Sequence, residues 1–247
     1  MKRQQTRKTI VFLLFLLFPA VFGYLSPILI LAGAFQGVIA GSFVLFVLLF
    51  LFSLLFGRAF CGWVCPAGGL QDCARIAVDK RAKGRWRDRV KYFIWVPWLA
   101  AIVLGFVSAG GVKSLDVFFM TDHGLSVTSV QWLIIYLIVA ATIAAIALLG
   151  GRRAFCHWFC WMAPFMVLGT MLRDKLRLPG LRLKAEPAKC TGCQQCTRQC
   201  PMSLEVASMV KKGSMKNSEC ILCGECVDGC KAGAVSFRFG KKHGDRQ

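Results

Sequence analysis

GRAFCGWVC, residues 57 to 65, returns almost intact as RRAFCHWFC, residues 152 to 160. Arg, Ala, Phe, Cys, Trp and Cys recur in the same order and at the same spacing, and each copy directly follows an uncharged apolar run. Cys61 and Cys156 lie 95 residues apart, about the length of one helix pair with its loops. A helix pair and a cysteine pair, repeated, predict two similar halves that enter and leave on one side, related by an axis along the membrane normal. On that axis Cys61, Cys65, Cys156 and Cys160 meet.

The composition places this repeat in a membrane. Of 247 residues 56% are hydrophobic and 20 are Phe, and the mean hydropathy is positive, which excludes an ordinary soluble chain. Residues 10–31, 37–56, 93–109 and 130–150 carry no charge and read as four transmembrane helices. Pro19, Pro27 and Pro97 predict kinks within them. The basic start MKRQQTRK resembles a signal peptide, but the apolar run continues past a short h-region and no A-x-A site follows, so a retained signal anchor fits better.

The net charge of +19 is distributed unevenly. Four Lys/Arg precede the first span, nine lie between the second and third, one between the third and fourth, and 17 after the fourth. This positive-inside pattern predicts an inner (cytoplasmic) membrane protein, multi-pass, with both termini, the 57–92 loop and the tail cytoplasmic. The charges are thus assigned to topology and anionic lipid, with no nucleic-acid partner.

Twelve of the thirteen cysteines stand in x2 or x3 spacings on that inner side, which points to metal ligation rather than disulfides. The tail reads CTGCQQCTRQCP and later CILCGECVDGC, each a C-x2-C-x2-C-x3-C run. In the bacterial two-cluster ferredoxins such a run lends its fourth cysteine to the other cluster. Cys190, Cys193, Cys196 and Cys230 then hold one [4Fe–4S] cluster, and Cys220, Cys223, Cys226 and Cys200 the other. A structural zinc site would leave half of these eight unexplained. Pro201 follows Cys200, whereas Lys231 stands beside Cys230, where a cation raises the nearby cluster's potential.

CTGCQQCTRQCPMSLEV and ECILCGECVDGC, behind four apolar spans and two Cys-x-x-x-Cys sites, resemble the NapH/MauN-type membrane ferredoxins, relatives of the C-terminal part of NosR-type proteins. The resemblance implies a quinol dehydrogenase component that passes electrons between the quinone pool and another redox protein, an iron–sulfur or cytochrome subunit, in respiration. CGWVCP, residues 61–66, matches the family's C-x-x-x-C-P motif. CHWFCWMAP departs from it, with Trp161 in the place of proline and Pro164 three residues later.

The residues leave several readings of the membrane cysteines open: a third cluster or a metal ion, two redox dithiols, or helix-end packing. Arg58 and Arg153, three residues before each first cysteine, either lower thiolate pKa values and balance cluster charge or anchor topology. Trp63, Trp158 and Trp161 read as interface-belt residues, and Cys73 as a buried structural thiol. His123 with Asp122 and Asp116 on the outer side, or His157 on the inner, are the candidates to accept a quinol proton. No G-x-G-x-x-G or C-x-x-C-H indicates a dinucleotide or covalent haem.

The expected architecture is an all-α four-helix transmembrane domain of two parallel pseudo-repeats (1–174), a basic linker (175–189) and a small α+β 2[4Fe–4S] ferredoxin domain (190–247). Its expected function is one-electron relay. The rivals are a copper-handling or cofactor assembly factor, whose ferredoxin tail reduces membrane dithiols, and a membrane anchor that docks an oxidoreductase.

Overall fold

The structure, a computed structural model, describes residues 2–241. The first expected span is not one helix. Helix α1 (Lys2–Leu16) stops short of Pro19; one turn at Phe18–Val21 and a 3-10 turn at Gly23–Leu25 follow, and α2 (Pro27–Gln36) starts anew. Pro19 and Pro27 lack the N–H that a continuous ladder needs. Pro27 is instead favourable at the first position of α2, where Ser26 accepts from the backbone N–H of Ile28 as N-cap. The backbone freed by the break is satisfied inside the protein: Trp161 donates to Leu25 O at 2.9 Å, Trp98 to Pro27 O at 3.2 Å, and Gly23 N to Ser126 Oγ at 2.8 Å. Irregular backbone buried away from water requires such internal partners.

Helix α3 (Gly41–Phe56) runs to the first cysteine pair, after which come α4 (Pro66–Ala77), α5 (Val90–Ser108), α6 (Val130–Gly150) and α7 (Ala163–Lys175). Helix α6 has the expected bounds. Among the described residues two helices are long and apolar enough to cross a membrane, Trp86–Ser108 (α5 with the turn before it) and Val130–Gly150; α2 and α3 are shorter apolar helices. Pro97 lies inside α5.

The two halves interlock. Helix α4, which follows the first cysteine pair, packs on α6 of the second half, while α7, which follows the second pair, packs on α3 of the first. Strand β1 (Val38–Ala40) pairs in parallel with β2 (Ser114–Asp116), and these are corresponding loops of the two halves.

The tail closes on an antiparallel pair, β3 (Gly180–Ala185) with β4 (Val235–Gly240), in the register Gly180↔Gly240 to Ala185↔Val235. Strand β3 comes from the stretch expected to be linker, because Leu181 and Leu183 alternate with basic residues at the period of a half-buried strand. Short helices Gln195–Gln199, Val206–Lys211 and Glu225–Asp228 lie between. Met202, Val206, Val210, Ile221 and Val235 are buried in one core that continues into Cys61, Phe155 and Met166 of the helical half, each such side chain contributing about 1.5–3 kcal/mol.

Candidate functional site

Both cysteine pairs adopt the same local structure. A five-residue helix, Ala59–Trp63 or Ala154–Trp158, carries the first cysteine, and the second donates its backbone N–H five residues back, Cys65 to Phe60 O at 2.9 Å and Cys160 to Phe155 O at 3.0 Å. This wide turn brings both thiols of a pair to one face. After Cys65 the helix α4 begins at once on Pro66; after Cys160 the missing proline delays α7 until Ala163, with Pro164 at its second position. The two inserted residues are used: Trp161 reaches the break before α2, and Met162 is buried.

Cys61, Cys65, Cys156 and Cys160 are all buried in one cluster. Burial pushes the thiols of Cys65 and Cys156 up and that of Cys160 to about 12, and the neighbouring sulfurs of the set push Cys65, Cys156 and Cys160 the same way. Donors turn toward them: Gln71 Nε2 stands 3.1 Å from Cys156 Sγ, and the backbone of Gly68 and of Ala163 face Cys65 and Cys160. Cys61 Sγ lies 3.9 Å from Met166 Sδ.

The two arginines are buried, which replaces the anchor reading. Arg153 is fully engaged, by Asp72 through Nε (2.8 Å) and Nη2 (2.7 Å) and by Cys61 O through Nη1 (2.6 Å). Arg58 spends only Nη1, on Ser218 O (3.0 Å) and Glu219 Oε2 (2.9 Å). Its Nε and Nη2 are buried without a partner among the described residues, beside the charges of Cys61 and Cys160. Two orphaned guanidinium donors next to four thiols are what an anionic cluster with cysteine ligands requires.

In the tail, Cys200, Cys220, Cys223 and Cys226 line one small cavity, although 20 residues separate the first two. The crossed set expected from the spacing is thus the set brought together. Burial pushes Cys220 to about 11 and Cys223 to about 12, while backbone N–H groups of Leu222, Glu225 and Met202 turn to the sulfurs of Cys220, Cys223 and Cys200. Cys196 and Cys230 interact likewise, Cys193 is exposed, and Ala234 N donates to Cys230 Sγ at 3.3 Å. Both loops repeat one backbone, with left-handed residues at Gly192 and Gln194 in the first and Leu222 and Gly224 in the second.

The inner set faces the helical half. Gly62 leaves no room for a side chain against Ile221 O, with Cys223 N and Cα at 3.3 and 3.4 Å from where a Cβ would stand. Trp63 Nε1 donates to Leu222 O at 3.1 Å, and Arg152 Nη1 to Cys200 O at 3.4 Å. None of the three tryptophans has its indole N–H free for a membrane interface: Trp158 donates to Lys83 O at 3.0 Å and Trp161 to Leu25 O.

Basic residues assigned from the sequence to topology also bind this tail. Arg7 pairs with Glu225 at 2.6 Å, Arg3 with Asp228 at 2.6 Å, and Lys91 and Arg58 with Glu219 at 2.6 and 2.9 Å. Burial opposes ionisation of Glu219, yet Arg58 and Lys91 outweigh it and hold the carboxyl at about 2.

His157 is buried with both nitrogens engaged, Nδ1 by Asp88 at 2.9 Å and Nε2 by Met202 O at 3.0 Å, so it braces the tail. His123 is exposed and bonded to Asp122 at 2.7 Å, and Asp116 lies on the exposed β2. Cys73, expected to be a buried thiol, is only half-buried.

Known proteins match this geometry in both halves. The family described as 4Fe-4S binding domain matches residues 38–84 and again 132–179, one copy around each Cys-x-x-x-Cys pair, and the 4Fe-4S dicluster domain family matches 182–231. An uncharacterised protein of Methanocaldococcus jannaschii is 29% identical over 193 residues, 75% of this chain and 66% of that one. The ferredoxin-type protein NapH of Haemophilus influenzae is 24% identical over 77% of this chain and 66% of its own length. The regulatory protein NosR of Stutzerimonas stutzeri is 25% identical over 74% of this chain, which spans 25% of that protein. No solved structure matches. With iron–sulfur domains across both halves and relatives of these names, the chain belongs to the NapH-type, NosR-related ferredoxin proteins.

Proposed function

We propose that the chain is a multi-pass protein of the inner membrane that relays single electrons between the quinone pool and a partner redox protein, as the quinol dehydrogenase component of a respiratory reductase system. Three [4Fe–4S] sites serve it: Cys61, Cys65, Cys156 and Cys160 in the helical half, Cys200, Cys220, Cys223 and Cys226 at the joint, and Cys190, Cys193, Cys196 and Cys230 outermost. Bound clusters supply one-electron chemistry at potentials set by charge, hydrogen bonds and exposure.

The observation that carries this reading is the contact of Gly62 and Trp63 with the 221–223 backbone, which stacks the two buried cysteine sets against each other. The exposed Cys193 leaves the third set open to a soluble partner. Arg58 offsets thiolate charge at the set in the helical half while tying that set to the tail through Glu219.

Anaerobic iron and sulfide analysis with redox-titrated EPR tests the reading. About twelve irons per chain, four per cube, and EPR signals that appear on adding quinol are expected; about eight irons would remove the membrane cluster, and clusters unresponsive to quinol would remove the relay.

A second reading has its own observation. The Met166 thioether beside Cys61, with Met162 buried nearby, makes a soft donor set suited to Cu(I). Stoichiometric Cu(I) retained by the four-cysteine site, with quinol oxidation unaffected by its loss, would favour copper handling.

A further inference from the structure

A cleft of about 500 Å³ opens where α3 ends at Gly57, α7 ends at Lys175 and the β3–β4 pair passes. Its walls carry Arg173, Lys175, Arg182, Lys184, Lys216 and Arg238, against a single carboxylate, Asp174. That carboxylate is already taken, by Arg182 at 2.6 Å and Arg173 at 3.2 Å. Arg182 Nε is buried without a partner among the described residues. Lys175, Lys216 and Arg238 make no ion pair among the described residues. Burial and the neighbouring Arg182 guanidinium pull Arg173 below its ordinary pKa, as expected where cations outnumber their partners.

The unpaired cations Lys175, Lys216 and Arg238 are exposed, and like charges gathered around one cleft attract an anion. Arg173 and Arg182 spend their forks on Asp174 and on the carbonyls of Leu181 and Leu178, so the cations left to meet a phosphate are Lys175, Lys216 and Arg238. The other wall is apolar, with Met171, Leu181 and Met215, and the apolar side chains of Met171 and Leu176 are exposed beside it. An anionic head beside an apolar surface, at the end of the apolar helix α3, is the arrangement of a phospholipid at an interface.

We propose that this cleft binds the phosphate headgroup of an anionic phospholipid at the inner membrane surface, an inference that rests on the membrane reading above. Its floor includes Cys220 and Arg58, so the headgroup lies against the joint between tail and helical half.

The full chain with its clusters, purified in detergent, is titrated with phosphatidylglycerol, phosphatidylcholine and inorganic phosphate and read by native mass spectrometry. Phosphatidylglycerol is expected to be retained at least about tenfold more tightly than phosphatidylcholine, a difference of about 1.4 kcal/mol. Lys216→Glu with Arg238→Glu, both at exposed positions outside every cysteine set, should abolish that preference while the tail-cluster absorbance persists. Lys216→Gln alone should reduce it, which guards against a double variant that misfolds. Equal retention of the two lipids, or a preference unchanged in the variants, overturns the proposal. Phosphate that binds and displaces phosphatidylglycerol reassigns the cleft to a free anion and overturns the lipid source. Release of the wild-type chain from membranes by alkaline carbonate overturns the membrane reading instead, which separates the two failures.

Discussion

Gly62 and Ile221 meet backbone to backbone, and a side chain at Gly62 would run into the carbonyl oxygen of Ile221. A residue inside one Cys-x-x-x-Cys motif thus sets how closely the tail cysteines approach the membrane set. Gly62→Ala should push the tail away at a cost of about 1–3 kcal/mol, the usual range for overpacking. Limited proteolysis between residues 175 and 189 should quicken while both tail clusters stay assembled. Unchanged proteolysis would mean that this contact does not hold the joint.

Glu219 carries two cations, Arg58 and Lys91, from two elements of the helical half. Removing the shared carboxylate strands both, whereas removing Arg58 leaves the Lys91 pair intact. Glu219→Gln should therefore destabilise the joint by about 3–5 kcal/mol, and Arg58→Met by less. Chemical denaturation followed by tail-cluster absorbance ranks them, and the reverse order would contradict the triad.

Asp72 binds Arg153 and Arg7, and their charges outweigh the burial that opposes its ionisation, so its carboxyl lies below the ordinary range. The depressed value means a contribution fully present above the unfolded carboxylate pKa of about 3.9 and lost as pH falls through the folded value. Asp72→Asn should weaken the protein by about 1.5–3 kcal/mol at pH 7, with the gap to wild type closing under strongly acid conditions. A gap that widens on acidification would contradict this sign.

Cys200 shares its cavity with Cys220, Cys223 and Cys226 rather than with Cys190, Cys193 and Cys196 of its own run. Cys200→Ser should abolish the EPR component that Cys223→Ser abolishes, and spare the one lost in Cys193→Ser. Loss of the same component in Cys200→Ser and Cys193→Ser would refute the crossed assignment.

These cysteine sets were legible because spacing is local: eight tail cysteines and two matched pairs carry their geometry in a few residues each. The break between α1 and α2 was visible only as Pro19 and Pro27, since what makes it tolerable, Trp161 and Trp98 reaching its carbonyls, comes from distant helices. Strand β3 was hidden among the basic residues of a stretch that read as linker, because its partner β4 lies about 50 residues later. The charges carry a second role that their number does not reveal. Arg7, Arg58 and Lys91 fit a topology rule by number, and only three dimensions reveal that they bind tail carboxylates more than 100 residues away.

The repeat itself yields the sharpest test. Cys61 and Cys156 belong to different halves but to one buried set, so losing either should have one consequence. A site reduced to three thiolates is labile, and a second loss from it removes little more. Cys61→Ser, Cys156→Ser and the double variant should therefore show equal defects in quinol-dependent reduction of the tail clusters, because residues that act as a unit are non-additive. Two separate dithiols, or two packing positions, would give partial defects that add. His157 is the nearest substitute ligand by sequence, yet both its nitrogens are committed, to Asp88 and to Met202 O. Cys156→Ser should then be no milder than Cys61→Ser, and adding His157→Ala should not worsen the membrane site beyond loosening the tail at Met202. A Cys156→Ser defect that is mild alone and becomes complete with His157→Ala, while the tail clusters persist, would show the imidazole leaving Asp88 to serve as a ligand. That result would overturn the bracing role assigned to it.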